Sequence, residues 1–169
     1  MPGFSDYLEV AVLNWLAKRT AFPSVPSNLF ISLHNTDPEG AGGGELTTTA
    51  NADGFSGGYQ RVSVPTDLNS GTNANWSALS AGTPSTAQKV TNVNQITFQT
   101  ATSAWNQAAG GGGAGAARAI QYFGIWDAAG PGTGNFLGGG QITPAGVGVT
   151  IQNGQTAIFG AGQLTLQVD

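Results

Sequence analysis

The residues able to do chemistry in this chain are few, and they form no recognisable catalytic set. His34 is the only histidine and there is no cysteine, so a histidine-based triad or a multi-histidine metal site has almost no material. The segment from His34 to Glu39 closes a strand with a turn-forming cluster that includes Asp37-Pro38. We therefore expect no enzymatic activity against polysaccharide, peptide or ester substrates. Turnover abolished by changing His34 or Asp127 would overturn that expectation.

Acidic side chains concentrate in one loop region and raise the question of calcium. Four of the nine acidic residues fall between positions 37 and 53, namely Asp37, Glu39, Glu45 and Asp53. Oxygen ligands on a loop are what calcium requires, but the spacing matches no known calcium loop. A solvated acidic loop is the simpler interpretation and bound calcium the alternative. We expect no metal and no cofactor.

The glycine run from Gly110 to Gly113 suggests a phosphate-binding loop at first sight. That motif needs Gly-Lys followed by Ser or Thr, which is missing, and Arg118 is the nearest cation. Residues 108–117 contain only Ala and Gly. They predict a flexible arm, or one that orders against a neighbour through close backbone approach. A disordered surface loop is the alternative.

The charge content is unusual for a soluble domain. Only 8% of the 169 residues are charged, against about 25% in ordinary domains. Few charged side chains lower the desolvation and entropy cost of close contact, and interface cores are depleted of them. The composition favours a protein that packs against neighbours, with a secreted β-module of neutral surface as the alternative.

Charge and hydropathy also exclude several partners. The net charge is −4 and the basic residues are scattered, so no basic stripe for nucleic acid is expected. The apolar stretch Val10–Ala17 is far shorter than the roughly 20 residues that span a bilayer. Acidic Asp6 and Glu9 precede it, which is the wrong polarity for a secretory signal. We expect that the protein does not associate with membranes. We expect that it is made and assembled in the cytoplasm.

The chain is predicted to be one β domain with an N-terminal helix. Residues 1–22 form an arm and an amphipathic helix over 6–18, in which Ser5 is the N-cap and Leu8, Val12, Trp15 and Leu16 recur at helical spacing. Residues 23–169 alternate short apolar strands with Gly, Pro, Asn and Ser clusters, which predicts an all-β, antiparallel β-sandwich of jelly-roll type. Long loops are expected at about 39–58 and 108–117.

Individual strand signals differ in strength along this domain. Leu29, Ile31 and Leu33 share one face of the first strand, and Ser32 and His34 lie on a second face that is also partly covered. The remaining predicted strands contain Val62 and Val64, Ile96 and Phe98, Ile120 to Trp126 with a bulge at Gly124, Phe136 and Leu137, Val147 to Ile151, Ala157 and Phe159, and Leu164 to Val168. Asn153-Gly154 is the clearest hairpin turn.

Aromatic residues supply the candidates for an interface. Trp76 and Trp105 lie in polar or Ala-rich surroundings, where exposed indoles stack on sugars or fill a partner's pocket, although core packing is favoured. Trp15 and Trp126 are predicted core or interface anchors. The candidate interface residues are Phe4, Tyr7, Trp15, Trp105, Gly111, Gly112 and Arg118.

Six structural motifs follow one another along the chain: Met1-Pro-Gly-Phe-Ser-Asp-Tyr-Leu-Glu9, Leu29-Phe-Ile-Ser-Leu-His34, Gly57-Gly-Tyr-Gln-Arg-Val62, Ile96-Thr-Phe98, Phe123-Gly-Ile-Trp-Asp-Ala-Ala129 and Gly162-Gln-Leu-Thr-Leu-Gln-Val-Asp169. Through these motifs the chain resembles, across most of its length, a family of small tailed-phage virion proteins of the tail-fibre-like or head-decoration-like kind. The loops around Gly110 and after Asp127 depart from the family pattern. The resemblance implies a particle component with no catalytic residues.

Among particle roles, the single domain without repeats favours a capsid decoration or cement protein at capsomer junctions. The alternatives are a tail-fibre or adhesin head that binds the host surface, and a carbohydrate-binding module. The expected partners are the protein itself, as a homotrimer matched to three-fold capsid junctions, and the major capsid protein or tail components. The expected location is the virion, assembled in the host cytoplasm.

Overall fold

A computed structural model describes residues 3–21, 23–24, 26–39, 45–46, 58–66, 75–77, 80–81, 88–105, 119–142 and 148–168. In these ranges the chain is mostly antiparallel β-sheet with one short helix. The elements in chain order are β1 Gly3–Phe4, α1 Asp6–Leu16, β2 Asn28–His34, β3 Val62–Pro65, β4 Ser80–Ala81, β5 Gln88–Thr91, β6 Ile96–Thr100, β7 Tyr122–Trp126, β8 Phe136–Gln141, β9 Thr156–Phe159 and β10 Thr165–Val168.

The helix begins as predicted and ends two residues early. The Ser5 side chain accepts from the backbone N–H of Leu8 at 3.4 Å, which satisfies one of the free donors of the first turn. Lys18 adopts a φ of 53°, the left-handed conformation that commonly terminates helices. Within the described ranges no helix is long and apolar enough to cross a membrane.

The strands form three antiparallel sheets. The largest has the order β1-β8-β7-β2-β3, the second β10-β5-β4 and the third β6-β9. The predicted all-β class with one N-terminal helix is confirmed. The jelly roll is not confirmed, because that architecture packs two sheets of four long strands each, whereas the described strands are divided among sheets of five, three and two.

One hydrophobic cluster joins residues of the separate sheets. The inner face of β2 contributes Ile31 and Leu33, which are 0% and 2% exposed, and β7 adds Phe123. Phe98 and Trp105 meet Tyr59 in the middle of the cluster, with ring centroids 6.2 Å apart between Phe98 and Trp105. The apolar alternation of β2 therefore places one of its faces in the core as predicted.

Two turn and bulge predictions came out differently in detail. Asn153-Gly154 does form a turn, in which Gly154 has a φ of 81° and Gln155 donates to the Gln152 carbonyl at 3.0 Å. The turn leads into β9, but β9 pairs with β6, so no hairpin forms there. The predicted bulge in β7 lies between Ile125 and Trp126, just beyond Gly124.

Candidate functional site: a buried polar face, a pocket and an exposed helix

The outer face of the five-stranded sheet carries two polar side chains on β2 that are fully buried. Ser32 pairs with Gly124, and His34 pairs with Tyr122. Since side chains alternate along strands, these residues share the face opposite to the apolar core. Ser32 and His34 are both 0% exposed, so the prediction that both faces of β2 are covered is correct.

Ser32, His34 and Trp126 form one hydrogen-bonded group on this face. The Trp126 indole N–H donates to Ser32 Oγ at 2.7 Å, and Ser32 Oγ lies 2.6 Å from His34 Nε2. The His34 and Trp126 rings are stacked, with an interplanar angle of 13°. Because Ser32 and His34 have no exposed surface, a substrate has no access to this pair, and its geometry serves packing.

Arg61 covers the same group and joins the β2–β3 connection to the β7–β8 loop. Its side chain is 0% exposed, and it pairs with both carboxylate oxygens of Glu45 at 2.7 Å. It also donates to the carbonyls of Ala128 and Thr133 at 2.7 and 3.0 Å, so four of its five N–H donors are used. The guanidinium lies 4.0 Å from the Trp126 ring centroid, a cation–π contact.

Tyr59 links this polar face to the core. Its hydroxyl accepts from the Leu33 backbone N–H at 2.9 Å and lies 3.4 Å from Glu45 Oε1. Burial, followed by the negative charge of Glu45, raises the pKa of Tyr59 well above its usual value. The hydroxyl therefore stays protonated and donates to Glu45.

Gly124 is a glycine because the polar group lies directly on its backbone. A Cβ at this position would meet Ser32 Oγ at 2.6 Å, His34 Nε2 at 2.8 Å and Trp126 Nε1 at 2.9 Å. The interior glycine of β7 thus marks close approach of side chains, a use of glycine in strands distinct from the predicted bulge.

A pocket of about 160 Å³ lies beside this group on the same sheet face. Its walls come from the loop after β2 and from the neighbouring ends of β7 and β8, and its lining residues are Asp37, Pro38, Glu39, Tyr122, Phe136, Gly139, Gly140 and Gln141. A Cβ at Gly139 would lie 3.2 Å from both Pro38 and Phe136, so these rings pack over that glycine. The pocket is therefore built on paired strands.

The acidic residues considered for calcium separate in the structure. Asp37 and Glu39 line the pocket, and Asp37 Oδ1 accepts from the Glu39 backbone N–H at 3.1 Å. Glu45 is bound by Arg61, and Asp53 lies outside the described residues. In the part of the chain that the structure describes, no three acidic, histidine or cysteine side chains are placed to hold a metal ion.

The N-terminal helix is the opposite of the polar face, because it is apolar and exposed. Tyr7, Val10, Leu13 and Leu16 recur every three residues and are 37%, 56%, 65% and 63% exposed. At about 100° per residue they form one continuous row, which we call the exposed row. Ala11 is the only helical residue that is fully buried.

The predicted interface residues have different fates. Tyr7 belongs to the exposed row, and Trp15 is 53% exposed. Trp105, which is also a candidate interface residue, is 2% exposed and packs edge-on against Tyr59 in the core, as the favoured core interpretation predicts. The other candidates, namely the side chain of Phe4 together with Gly111, Gly112 and Arg118, lie outside the described residues.

Sequence reasoning missed the Arg61–Glu45 pair and the pocket. Arg61 is one of the scattered cations and part of the motif that ends at Val62, and neither observation indicated a partner for it. It is nevertheless a charged residue next to a strand of alternating valines, where charge is unusual. The position of this charge beside a strand was the feature of the sequence that could have indicated a buried ion pair. No feature of the sequence could have indicated the pocket, because its walls meet only when β7 and β8 pair.

The comparisons with known proteins agree with the resemblance in the sequence. The model of the family described as "Podophage GP4 fiber I protein gp80" matches residues 3–167, nearly the whole chain. The search of curated proteins found no match.

Proposed function

The chain belongs to the Podophage GP4 fiber I protein gp80 family, and from that premise we propose that it is a non-enzymatic subunit of a tail fibre. Membership makes it a structural component of a tailed-phage virion. The finer assignment to the fibre follows the family's printed description. We prefer it to the capsid cement role because the family is described as a fiber protein.

The exposed row on α1 is the observation that carries this proposal. Eight of the eleven helical residues are apolar, from Tyr7 to Leu16, yet only one of them is buried. Contiguous apolar surface of this kind on a soluble protein is typical of an assembly contact. The helix thus provides the surface through which the subunit joins the particle.

We propose that the exposed row binds other copies of this chain, so that three subunits form a closed trimer. Val10, Leu13 and Leu16 are each offset by about 60° around the helix, so the row covers a wide arc. In a three-helix bundle each helix touches two neighbours, which covers such an arc better than the single contact of a dimer. Closed cyclic symmetry is the usual form of homo-oligomers.

Locating the protein on the particle tests the fibre assignment. An affinity tag placed after residue 169 is expected to label the tail in cryo-electron micrographs. Particles lacking the protein are expected to lose attachment to cells while their heads resist heat as wild-type heads do. Labelled heads, or fragile heads with normal attachment, would instead assign the protein to the capsid as a cement.

A further inference from the structure

We propose that the pocket between Asp37, Tyr122, Phe136 and Gln141 binds one sugar ring of a glycan, of an uncharged or amino-substituted kind. The observation is a concave site on paired strands, in which aromatic rings and a few polar groups converge. A receptor role for that glycan rests on the proposed fibre function. Binding itself does not, because it depends only on the pocket.

The pocket has room for part of one sugar ring. A volume of about 160 Å³ is the space of about five waters at roughly 30 Å³ each. The pocket therefore takes one edge or face of a single ring, and the rest of the glycan stays in solvent.

The polar groups of the pocket match a row of hydroxyl groups. Asp37 and Glu39 offer carboxylate oxygens, which are strong acceptors for hydroxyl donors. Gln141 Nε2 donates to the Tyr122 hydroxyl at 3.3 Å, which leaves the hydroxyl hydrogen of Tyr122 for a further acceptor. Acceptors on one wall and a donor on the other suit a ligand whose groups both donate and accept.

Apolar groups supply the surface that a sugar ring stacks on. Phe136 and Pro38 border the pocket, and Phe136 is held by Trp126, with ring centroids 5.3 Å apart. The C–H face of a pyranose is apolar, and aromatic rings bury such faces. Gly139 and Gly140 line the pocket and bring no side chains of their own into it.

Charge decides which sugars are accepted. The described lining contains two carboxylates and no Lys or Arg. A uronic or other acidic sugar would bring a third negative charge within a few ångströms and be repelled. Neutral and amino sugars are accepted, and the amino group gains an ion pair.

The test is ligand-observed NMR on the full-length protein with methyl glycosides of glucose, galactose, mannose, glucosamine and glucuronic acid. At least one neutral or amino glycoside is expected to bind with a Kd on the order of 1 mM, a typical weak affinity, and the glucuronide is expected not to bind. Gln141→Ala and Glu39→Gln should each weaken binding at least fivefold. Gln152→Ala, an exposed glutamine on a distant turn, is the matched control and should leave binding unchanged.

Several results would overturn the inference. These are no binding of any glycoside by the wild type, binding unaffected by both pocket variants, or equal binding of the glucuronide. Saturation of the same pocket by free arginine, with glycosides excluded, would assign it to a basic side chain instead. Each of these readouts is independent of where the protein sits on the particle, so the fibre proposal is tested separately.

Discussion

The N-terminal helix and the outer face of the large sheet reverse the usual relation between polarity and burial. Leu13 and Leu16 are apolar and more than 60% exposed, whereas His34 and Arg61 are polar and 0% and 6% exposed. On the sheet face, Ser32 is hydrogen-bonded to His34 and Trp126, and Arg61 is hydrogen-bonded to Glu45 and two loop carbonyls. These bonds support the fold. The exposed apolar side chains of α1 make few packing contacts within the subunit itself. The comparison shows that the buried polar side chains of this face serve the fold, and that the exposed apolar side chains of α1 are the candidates for assembly.

The largest expected effect on stability comes from Arg61. Arg61→Ala leaves Glu45 and two loop carbonyls without their donor, and breaking such a buried pair costs about 3–5 kcal/mol. Urea denaturation measures the loss. Arg19→Ala, at an exposed position after α1, is the matched control and is expected to change stability by less than about 0.5 kcal/mol. Equal effects of the two variants would remove the distinction between the regions.

Gly124→Ala is expected to cost about 2–3 kcal/mol. Overpacking costs up to about 3 kcal/mol, and three contacts under 3.0 Å place this site near the upper limit. Removing the nearest oxygen should relieve part of the strain. The double variant Ser32→Ala/Gly124→Ala should therefore be at least about 0.5 kcal/mol more stable than the sum of the single losses. Strict additivity would show that the polar group does not press on Gly124.

Tyr59→Phe is expected to cost about 1–2 kcal/mol at neutral pH, because the buried Leu33 N–H loses its acceptor. The raised pKa of Tyr59 adds a pH signature. Above pH about 10 the unfolded tyrosine releases its proton while the folded one keeps it, so wild-type stability falls with pH up to the folded pKa. Tyr59→Phe removes this contribution. Parallel stability curves for the two proteins between pH 9 and 11 would contradict the account.

The sequence predicted the elements whose signals are local. Ser5 is the N-cap of α1, as predicted. The apolar alternation from Leu29 to His34 identifies β2, both faces of which are covered. β5 was missed, since Gln88 to Thr91 is polar and its strand exists only by pairing with β4 and β10. Long-range pairing leaves no periodic trace in such a short segment.

The candidate site was less predictable than the fold for the same reason. For Trp105 the Ala-rich context left an interface role open beside the favoured core position, and only tertiary packing places it in the core. Arg61 and Glu45 are sixteen residues apart and meet only after β2 and β3 pair. The helix was predicted to be amphipathic, with Trp15 and Leu16 on its apolar face, but the sequence did not show that the sheet leaves both of these residues exposed.

The smallest expected effect on stability belongs to the exposed row. Leu13→Ser/Leu16→Ser should change the unfolding free energy of dilute, monomeric protein by less than about 1 kcal/mol, mainly through helix propensity. Ser63→Ala, an exposed change on β3, is the control. A loss of several kcal/mol would show that these leucines stabilise the subunit itself.

Sedimentation equilibrium of the wild type and of Leu13→Ser/Leu16→Ser tests the central claim most directly. The account predicts a trimer for the wild type and at least a hundredfold weaker association for the variant. The two leucines contribute about 1–2 kcal/mol each per subunit when buried. A wild type that stays monomeric at high concentration, or a variant that associates as strongly as the wild type, would contradict the account.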